Sequence, residues 1–360
     1  MIGNRPQFIK AAAVSPALRR AATEVLVHTG QHFDDELSSV FFAELGLPAP
    51  DRQLGIAEGS NTSQTARMLA GLEPVLSAER PDCVLVYGDT NSTLAGALAA
   101  AQAALPVAHV EAGMRSFDRT MPEELNRVLT DHLSATLLCS SEVAAENLRR
   151  EGVSGEIAVV GDVMVDVASE VQPRARERLD LVRAQGVSPG EFLLVTAHRA
   201  GNVDAPERLG RLVELLLGLS EPLVLPLHPR TRGRLAAAGL LEALAGGDHV
   251  HLTAPLGYVE TMALLTNARA VLTDSGGLQK EAYLAGVPCV TLRSRTEWVE
   301  TIEAGWNTLA DLDAAAVEAA LARRPPATRP PLYGDGRAGE RVVAALVERF
   351  LSPAAYGVRT

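Results

Sequence analysis

The chain predicts an α/β fold built on parallel sheets, and three observations carry that reading. Short apolar, partly β-branched runs alternate with longer amphipathic stretches over most of its 360 residues. Most of the short runs end in polar, glycine-bearing loops, where doubly wound sheets keep their ligand groups. The rhythm breaks at residues 167–190, a charged stretch with Pro173, Gly186, Pro189 and Gly190, and then restarts. Two similar α/β domains with a cleft between them are expected.

Met1 to Pro6 reads as the loop after a first strand, yet almost no strand precedes it, which suggests a misplaced or trimmed start; Lys10 to Arg20 follows as a helix. Glu24–His28 is a strand ending in Thr29-Gly30-Gln31-His32, and Asp34–Leu45 a helix stopped by Gly46. Residues 51–61 read as a loop and Thr62–Ala78 as a long amphipathic helix. Cys83–Tyr87 is a buried strand leading to Gly88-Asp89-Thr90, with an Ala-rich helix over Thr93–Gln102. Val107–Val110 is a strand ending in Glu111-Ala112-Gly113; Pro122–His132 is helical. Ala135–Cys139, Glu142–Glu151 and Ile157–Val160 complete the first rhythm as strand, helix and strand.

After the break, Phe192–Thr196 is a strand leading to His198-Arg199, and Leu223–Leu227 one leading to His228-Pro229-Arg230, with a helix over Ala205–Leu219. Val250–Leu252, Tyr258–Asn267, Ala270–Thr273 and Cys289–Leu292 continue the alternation; a Pro-rich crossing at 325–331 precedes a last helix over 338–351.

A net charge of −11 argues against nucleic acid or an anionic membrane as a general partner, though not against a small anion held by local Arg and Lys. Cys83, Cys139 and Cys289 lie far apart, two of them in apolar runs, and read as reduced thiols of a cytoplasmic protein. Their spacing suits neither a metal site nor a disulfide. No apolar stretch is long enough to span a membrane, and no signal peptide precedes the fold.

The stretch Thr273-Asp274-Ser275-Gly276-Gly277 carries the sharpest chemistry. Ser275 suits a helix N-cap, and the two glycines let the backbone approach a ligand. Free N–H groups at a helix start hold phosphate. One turn on, the Glu281 carboxylate suits a ribose diol, so the expected ligand is a nucleoside diphosphate. His198 and His228, beside Arg199 and Arg230, can donate to phosphate or protonate a leaving oxygen.

In the first half Asp89 and Glu111 end two strands that could be neighbours, and Glu123 and Arg127 share a helix face. Carboxylates converging on one cleft can be pushed to different pKa values, one acid and one base. Arg5 and Lys10 flank a helix start as anion ligands. His109, inside a strand, and His132, within a helix, read as structural, and Tyr258 as packing. Neither G-x-G-x-x-G nor a Walker pattern marks a strand–turn–helix.

These motifs form an ordered set. They are Gly3-Asn4-Arg5-Pro6 through Lys10, Thr29-Gly30-Gln31-His32, Gly88-Asp89-Thr90, His109-Val110-Glu111-Ala112-Gly113 with Arg115, Pro122-Glu123-Glu124-Leu125-Asn126-Arg127, Thr196-Ala197-His198-Arg199 and Thr273 through Glu281, with Tyr333-Gly334-Asp335-Gly336 before the last helix. Together they resemble the non-hydrolysing UDP-N-acetylglucosamine 2-epimerases over nearly the whole chain.

The resemblance implies a glycosyltransferase-B-type fold of two Rossmann-like domains. Residues 1–166 with the C-terminal helix 338–360 would form a domain for sugar chemistry, and 167–337 a UDP-binding domain. It implies interconversion of UDP-N-acetylglucosamine and UDP-N-acetylmannosamine at C2, by elimination of UDP to 2-acetamidoglucal and re-addition. Asp89, Glu111, Glu123 and His198 would be catalytic. Arg5, Lys10, Arg127, Ser275, Gly276, Gly277, Glu281 and His228 would bind substrate. No cofactor or metal is implied; a homodimer is, for which the apolar face of the Thr62–Ala78 helix would serve, and a place in making cell-surface polysaccharide.

Departures bear on regulation and substrate. Gln31, His32 and Gln64 match the cluster of members activated by a second substrate molecule, but Asp34 stands where an amide is usual and Ser63 where an arginine is usual. Thr296-Glu297-Trp298-Val299-Glu300 replaces the commoner Thr-Glu-Arg-Pro-Glu, a variant that recurs in relatives acting on UDP-2,3-diacetamido-2,3-dideoxy-glucuronic acid. That uronate is the alternative substrate. A glycosyltransferase on the same fold is the remoter alternative; a hydrolysing epimerase or a non-catalytic binder would also fit the turn at Ser275.

Overall fold

Pro6 shows how local chemistry sets an element here. Asn4, in extended backbone, accepts a hydrogen bond from Gln7 N at 3.3 Å, and the proline falls in the first turn, where its missing N–H costs nothing. The first helix therefore runs Arg5–Ala21, earlier than the expected start at Lys10. The computed structural model describes residues 1–31, 42 and 44–351, so most of the expected Asp34–Leu45 helix, with His32 and Asp34, lies outside the described residues.

The chain divides into two units, Met1–Val167 with Pro331–Thr360, and Ala168–Pro330. In the first, β1 (Val27–His28) pairs in parallel with β2 (Arg52–Gln53), and Ile2 bridges to His28 as a one-residue strand. The stretch read as a loop thus contains β2, whose exposed polar side chains give no alternating pattern. A second sheet runs β3 (Val84–Tyr87), β4 (Val107–Ala112), β5 (Thr136–Cys139) and β6 (Glu156–Val159), all parallel and in that spatial order. β3 and β4 are indeed neighbours, so Asp89 and Glu111 leave adjacent strand ends.

Helix Asn61–Glu79 packs Met68, Leu72 and Leu76 against Val84, Val86 and Ala95. Its apolar stripe is thus buried inside its own unit. The C-terminal helix Ala338–Leu346 starts where the Asp166 carboxylate accepts from Ala338 N at 3.0 Å and Gly339 N at 2.7 Å, a cap supplied from far away in sequence.

The second unit holds one six-stranded parallel sheet: β7 (Leu193–Thr196), β8 (Leu223–Pro226), β9 (Val250–Thr253), β10 (Ala270–Thr273), β11 (Cys289–Thr291) and β12 (Asn307–Leu309). Its spatial order is β12-β11-β10-β7-β8-β9. This order puts the carboxyl ends of β10, β7 and β8 side by side, with Ser275, His198 and His228 just beyond them. Leu193, Val195, Leu212, Leu216, Leu223 and Leu272 form much of its core. The stretch read as a connection is largely helical, Val163–Glu177 and Leu179–Arg183. Among the described residues no helix is long and apolar enough to cross a membrane.

Candidate functional site

In the first unit the candidate residues sit on three segments. β3 ends in Gly88, whose φ of +62° suits glycine, and Asp89 follows. β4 ends in an irregularity between Val110 and Ala112, where Glu111 takes φ +70°, an unusual conformation for a side chain with a Cβ. Helix Pro122–Leu133 carries Glu123 in its first turn and Arg127 in the next.

Two ion pairs join them. Lys10 Nζ meets Glu111 Oε2, both side chains nearly buried. Arg127 Nη2 meets Asp89 Oδ2 at 2.5 Å, and Asp89 keeps a third of its side chain open to solvent. A Cβ on Gly88 would lie 2.9 Å from Lys10 Nζ and 3.3 Å from Glu111 Oε2, so this glycine leaves room for the Lys10–Glu111 pair next to the residue before Asp89. The structure thus joins Lys10 to Glu111 and Arg127 to Asp89, with the two carboxylates at the ends of adjacent strands. Glu123 is half-buried one turn before Arg127 on the same helix, and Arg5 opens the helix that carries Lys10.

Sequence reasoning passed over the second glutamate of the pair. Buried Glu124 accepts from Ser116 N at 2.8 Å and Phe117 N at 2.9 Å and lies 3.3 Å from Arg127, so it shapes the loop before the helix. Asn126 donates to Asp89 O at 3.0 Å. Gln31 accepts from Ser92 N and Oγ at 3.1 and 2.8 Å, and Gln64 accepts from Asn91 at 2.9 Å. The two amides matched to the activation cluster thus serve the packing of their own unit.

In the second unit the strand-end groups gather around Asp274. This fully buried carboxylate accepts from His198 N at 3.1 Å, Arg199 N at 3.0 Å and Asn202 Nδ2 at 3.1 Å. It thereby fixes the loop after β7 to the turn after β10. The His198 and His228 rings lie 6.2 Å apart, and Arg230 pairs with Asp204. Packing around His198 lowers its pKa; Asp274, 4.0 Å from Nδ1, opposes this, while Arg199 and Arg230 add to it.

Ser275 occupies the N-cap position of helix Gly276–Ala285, but its hydroxyl makes no capping hydrogen bond. The two glycines differ. A Cβ on Gly277 would meet nothing closer than Ser275 Oγ at 3.9 Å, whereas one on Gly276 would strike Glu297 Oε1 at 2.7 Å. Gly277 faces open space and Gly276 makes room for Glu297, a carboxylate 3.1 Å from Arg293 and 4.0 Å from Arg199. Lys280 lies over the Trp298 ring at 4.3 Å.

Glu281 is buried, and desolvation pushes its pKa up to about 7 even though the Tyr258 hydroxyl and Lys280 pull it down. Tyr258, read from sequence as packing, is thus a partner of the site. The arrangement offers free helix N–H groups, two histidines and two arginines to an anion, and a carboxyl one turn away.

Residues 16–347 match the family described as UDP-N-acetylglucosamine 2-epimerase. The UDP-2,3-diacetamido-2,3-dideoxy-D-glucuronate 2-epimerase of Pseudomonas aeruginosa is 46% identical over 361 residues, covering 97% of this chain and 98% of that protein. The UDP-N-acetylglucosamine 2-epimerase of Methanocaldococcus jannaschii is 42% identical over 359 residues, covering 96% and 97%. A crystal structure of the M. jannaschii UDP-GlcNAc 2-epimerase in complex with UDP-GlcNAc and UDP aligns with a TM-score of 0.90 at 40% identity, over 96% of this chain and 98% of that one. The fold is of the glycosyltransferase-B type, α/β with parallel sheets.

Proposed function

Because the chain belongs to the UDP-N-acetylglucosamine 2-epimerase family, we propose that it is an isomerase interconverting UDP-N-acetylglucosamine and UDP-N-acetylmannosamine. The observation that carries the reading is the pair of carboxylates, Asp89 and Glu111, on adjacent strand ends, each matched to a cation. The hydrogen on C2 of such a sugar is not acidic, since C1 bears no carbonyl. A carboxylate base can remove it when the C1–O bond to UDP breaks at the same time. The C2 proton goes to the base, the C–H electrons form the C1=C2 bond of 2-acetamidoglucal, and the C1–O electrons leave with UDP. Re-addition with a proton delivered to the opposite face gives the epimer.

Asp89, Glu111 and Glu123 are the acid and base candidates in this reading, with Arg5, Lys10 and Arg127 at the sugar. The departing UDP is held by Ser275, Gly276, Gly277, His198 and His228, and Glu281 takes the ribose. A homodimer belongs to the proposal; since helix Asn61–Glu79 buries Met68, Leu72 and Leu76 within its own unit, another face must supply the contact. Analytical ultracentrifugation would settle that part.

A second substrate has its own support. The relative 46% identical is the diacetamido-glucuronate 2-epimerase, and Trp298 stacks on Lys280 beside the Gly276 turn. Proton NMR in heavy water, run in parallel with UDP-N-acetylglucosamine and the diacetamido uronate, tests both. Deuterium at C2 with a growing epimer and UDP still attached identifies the substrate. Transfer of the sugar to an acceptor without C2 exchange would overturn the epimerase reading.

A further inference from the structure

His109 and Asp131 take no part in the chemistry above, yet they form the most deeply buried ionisable contact in the first unit, both fully inaccessible. His109 stands on β4 two residues before Glu111. Its Nε2 donates to the carbonyl of Gly88, the residue before Asp89, at 2.7 Å. Its Nδ1 lies 2.7 Å from Asp131 Oδ1, within hydrogen-bond distance. Both ring nitrogens face acceptors, so one ring ties the exit of β3 to a carboxylate beneath β4.

That carboxylate has two further donors. Asp131 Oδ2 accepts from Gly113 N at 3.2 Å and from Arg115 Nη1 at 2.7 Å. Arg115 is in turn held by Glu151, at 2.7 and 2.6 Å. Burial alone would raise the Asp131 pKa; His109 and Arg115 together hold it below the usual carboxylate range. Gly113 takes φ +80°, and a Cβ there would lie 2.2 Å from Ala144 O, so only glycine fits at this point of the chain. Asp131 also ends the helix whose earlier turns carry Glu123 and Arg127.

The chain therefore passes Asp89 one residue after an atom that His109 holds, and Glu111 between His109 and Gly113, which Asp131 holds. Glu111 sits at φ +70° in the strand irregularity, a conformation that persists only when its flanks are fixed. Stability is a poor explanation for such a cluster, because buried ion networks are often replaceable by apolar groups of equal volume.

We propose that His109 and Asp131 are positioning residues that set the spacing of Asp89 and Glu111. The proposal rests on the epimerase reading for its kinetic consequence, but not for its structural one. When the spacing loosens, the carboxylates no longer meet opposite faces of the glycal on schedule. The intermediate then escapes before UDP adds back.

The test compares full-length Asp131→Asn, His109→Leu and His109→Gln with wild type. Asn keeps the size of the aspartate while one of its acceptors becomes a donor; Leu removes both ring nitrogens; Gln can restore the donor to Gly88 O. In Asp131→Asn and His109→Leu, kcat should fall about 10- to 100-fold with KM and UDP affinity unchanged. A larger share of turnovers should release free 2-acetamidoglucal and UDP, and His109→Gln should recover most of the loss. Amide exchange should quicken over residues 88–91 and 111–115 and stay unchanged in helix Gly276–Ala285.

Activity falling only with the folded fraction, with the glycal share and amide exchange at wild-type values, would overturn the proposal. If the wild type shows no C2 exchange with any UDP-sugar tried, the functional reading fails separately, and amide exchange alone decides the structural claim. If the variants do not fold, the Gly113 amide of the wild type decides it. Held by Asp131, that amide should exchange as slowly as the core strands, and exchange at an open loop's rate would sink the idea.

Discussion

The two units use charge in opposite ways. In the first, two of the three candidate carboxylates are matched to a cation on another segment, Asp89 to Arg127 and Glu111 to Lys10. In the second, His198, His228, Arg199 and Arg230 collect near a helix N-terminus, and the Glu281 carboxyl is buried until it holds its proton near neutrality. A proton-transfer group needs a partner that poises it, whereas an anchor for a diphosphate needs donors and positive charge gathered at one place. In the proposed reading the first unit carries the proton chemistry and the second holds the diphosphate, and each prediction below tests that division.

The largest effect is expected from the first unit alone. Asp89→Asn and Glu111→Gln should each slow C2 exchange about 10²- to 10⁴-fold, the range a positioned acid or base contributes. UDP binding, measured calorimetrically, should not change. A loss of UDP affinity matching the loss of rate would erase the division of labour.

The glycine pair sharpens the second half of the comparison. Gly277→Ala has room in the free protein, its nearest neighbour 3.9 Å away, so the melting temperature should hold while UDP affinity drops about tenfold, as overpacking of a filled site does. Gly276→Ala strikes Glu297 at 2.7 Å and should cost folding stability, about 1–3 kcal/mol, besides affinity. Wild-type UDP affinity in Gly277→Ala would mean that the diphosphate does not approach this turn.

Glu281 gives a smaller effect with a definite sign. Its folded pKa of about 7 lies above the ordinary carboxylate value, so the folded protein keeps a proton that the unfolded chain releases. Stability should therefore decline as pH rises from about 4.5 to 7, by a few kcal/mol at most, and then level off. Glu281→Gln cannot ionise and should flatten that decline. In the wild type, if the ribose is held by the carboxylate form, affinity for UDP-N-acetylglucosamine should weaken below neutrality. A slope that survives in Glu281→Gln would point to another group.

Legibility in the sequence followed the same physics. Asp89, Glu111, His198 and Ser275 could be placed because an apolar run followed by a polar turn marks a strand end. The alternation allowed β3 and β4 to be neighbours without requiring it, and the structure pairs them. Groups whose work is to hold backbone were invisible. Asp274 and Glu124 accept amide hydrogens from segments far away in space, and nothing in a linear pattern marks an aspartate as an anchor. Tyr258 read as packing because its hydroxyl meets Glu281, 23 positions later. β2 escaped because an exposed polar pair has no period to detect. Pro6 hid the first turn of a helix, since proline there looks the same as proline in a loop.

The smallest effect separates a cap from a ligand contact. His228 is exposed and occupies the N-cap of helix Pro229–Ala237, its Nδ1 accepting from Arg230 N at 3.2 Å. His228→Ala removes that acceptor along with any contact to phosphate, whereas His228→Asn supplies a good N-cap and deletes only the imidazole. If the ring serves only as a cap, the alanine variant should lose about 1 kcal/mol of stability and the asparagine variant nothing, with UDP affinity equal in both. If it also belongs to the anion site, both variants should weaken UDP binding by the same few-fold factor while only the alanine variant melts earlier. The second outcome is expected, because the His198 ring lies 6.2 Å away and Arg230 follows two residues later, so the imidazole stands among groups of one chemical purpose. It would extend the anchoring role of the second unit to the end of β8 and leave proton transfer to the first.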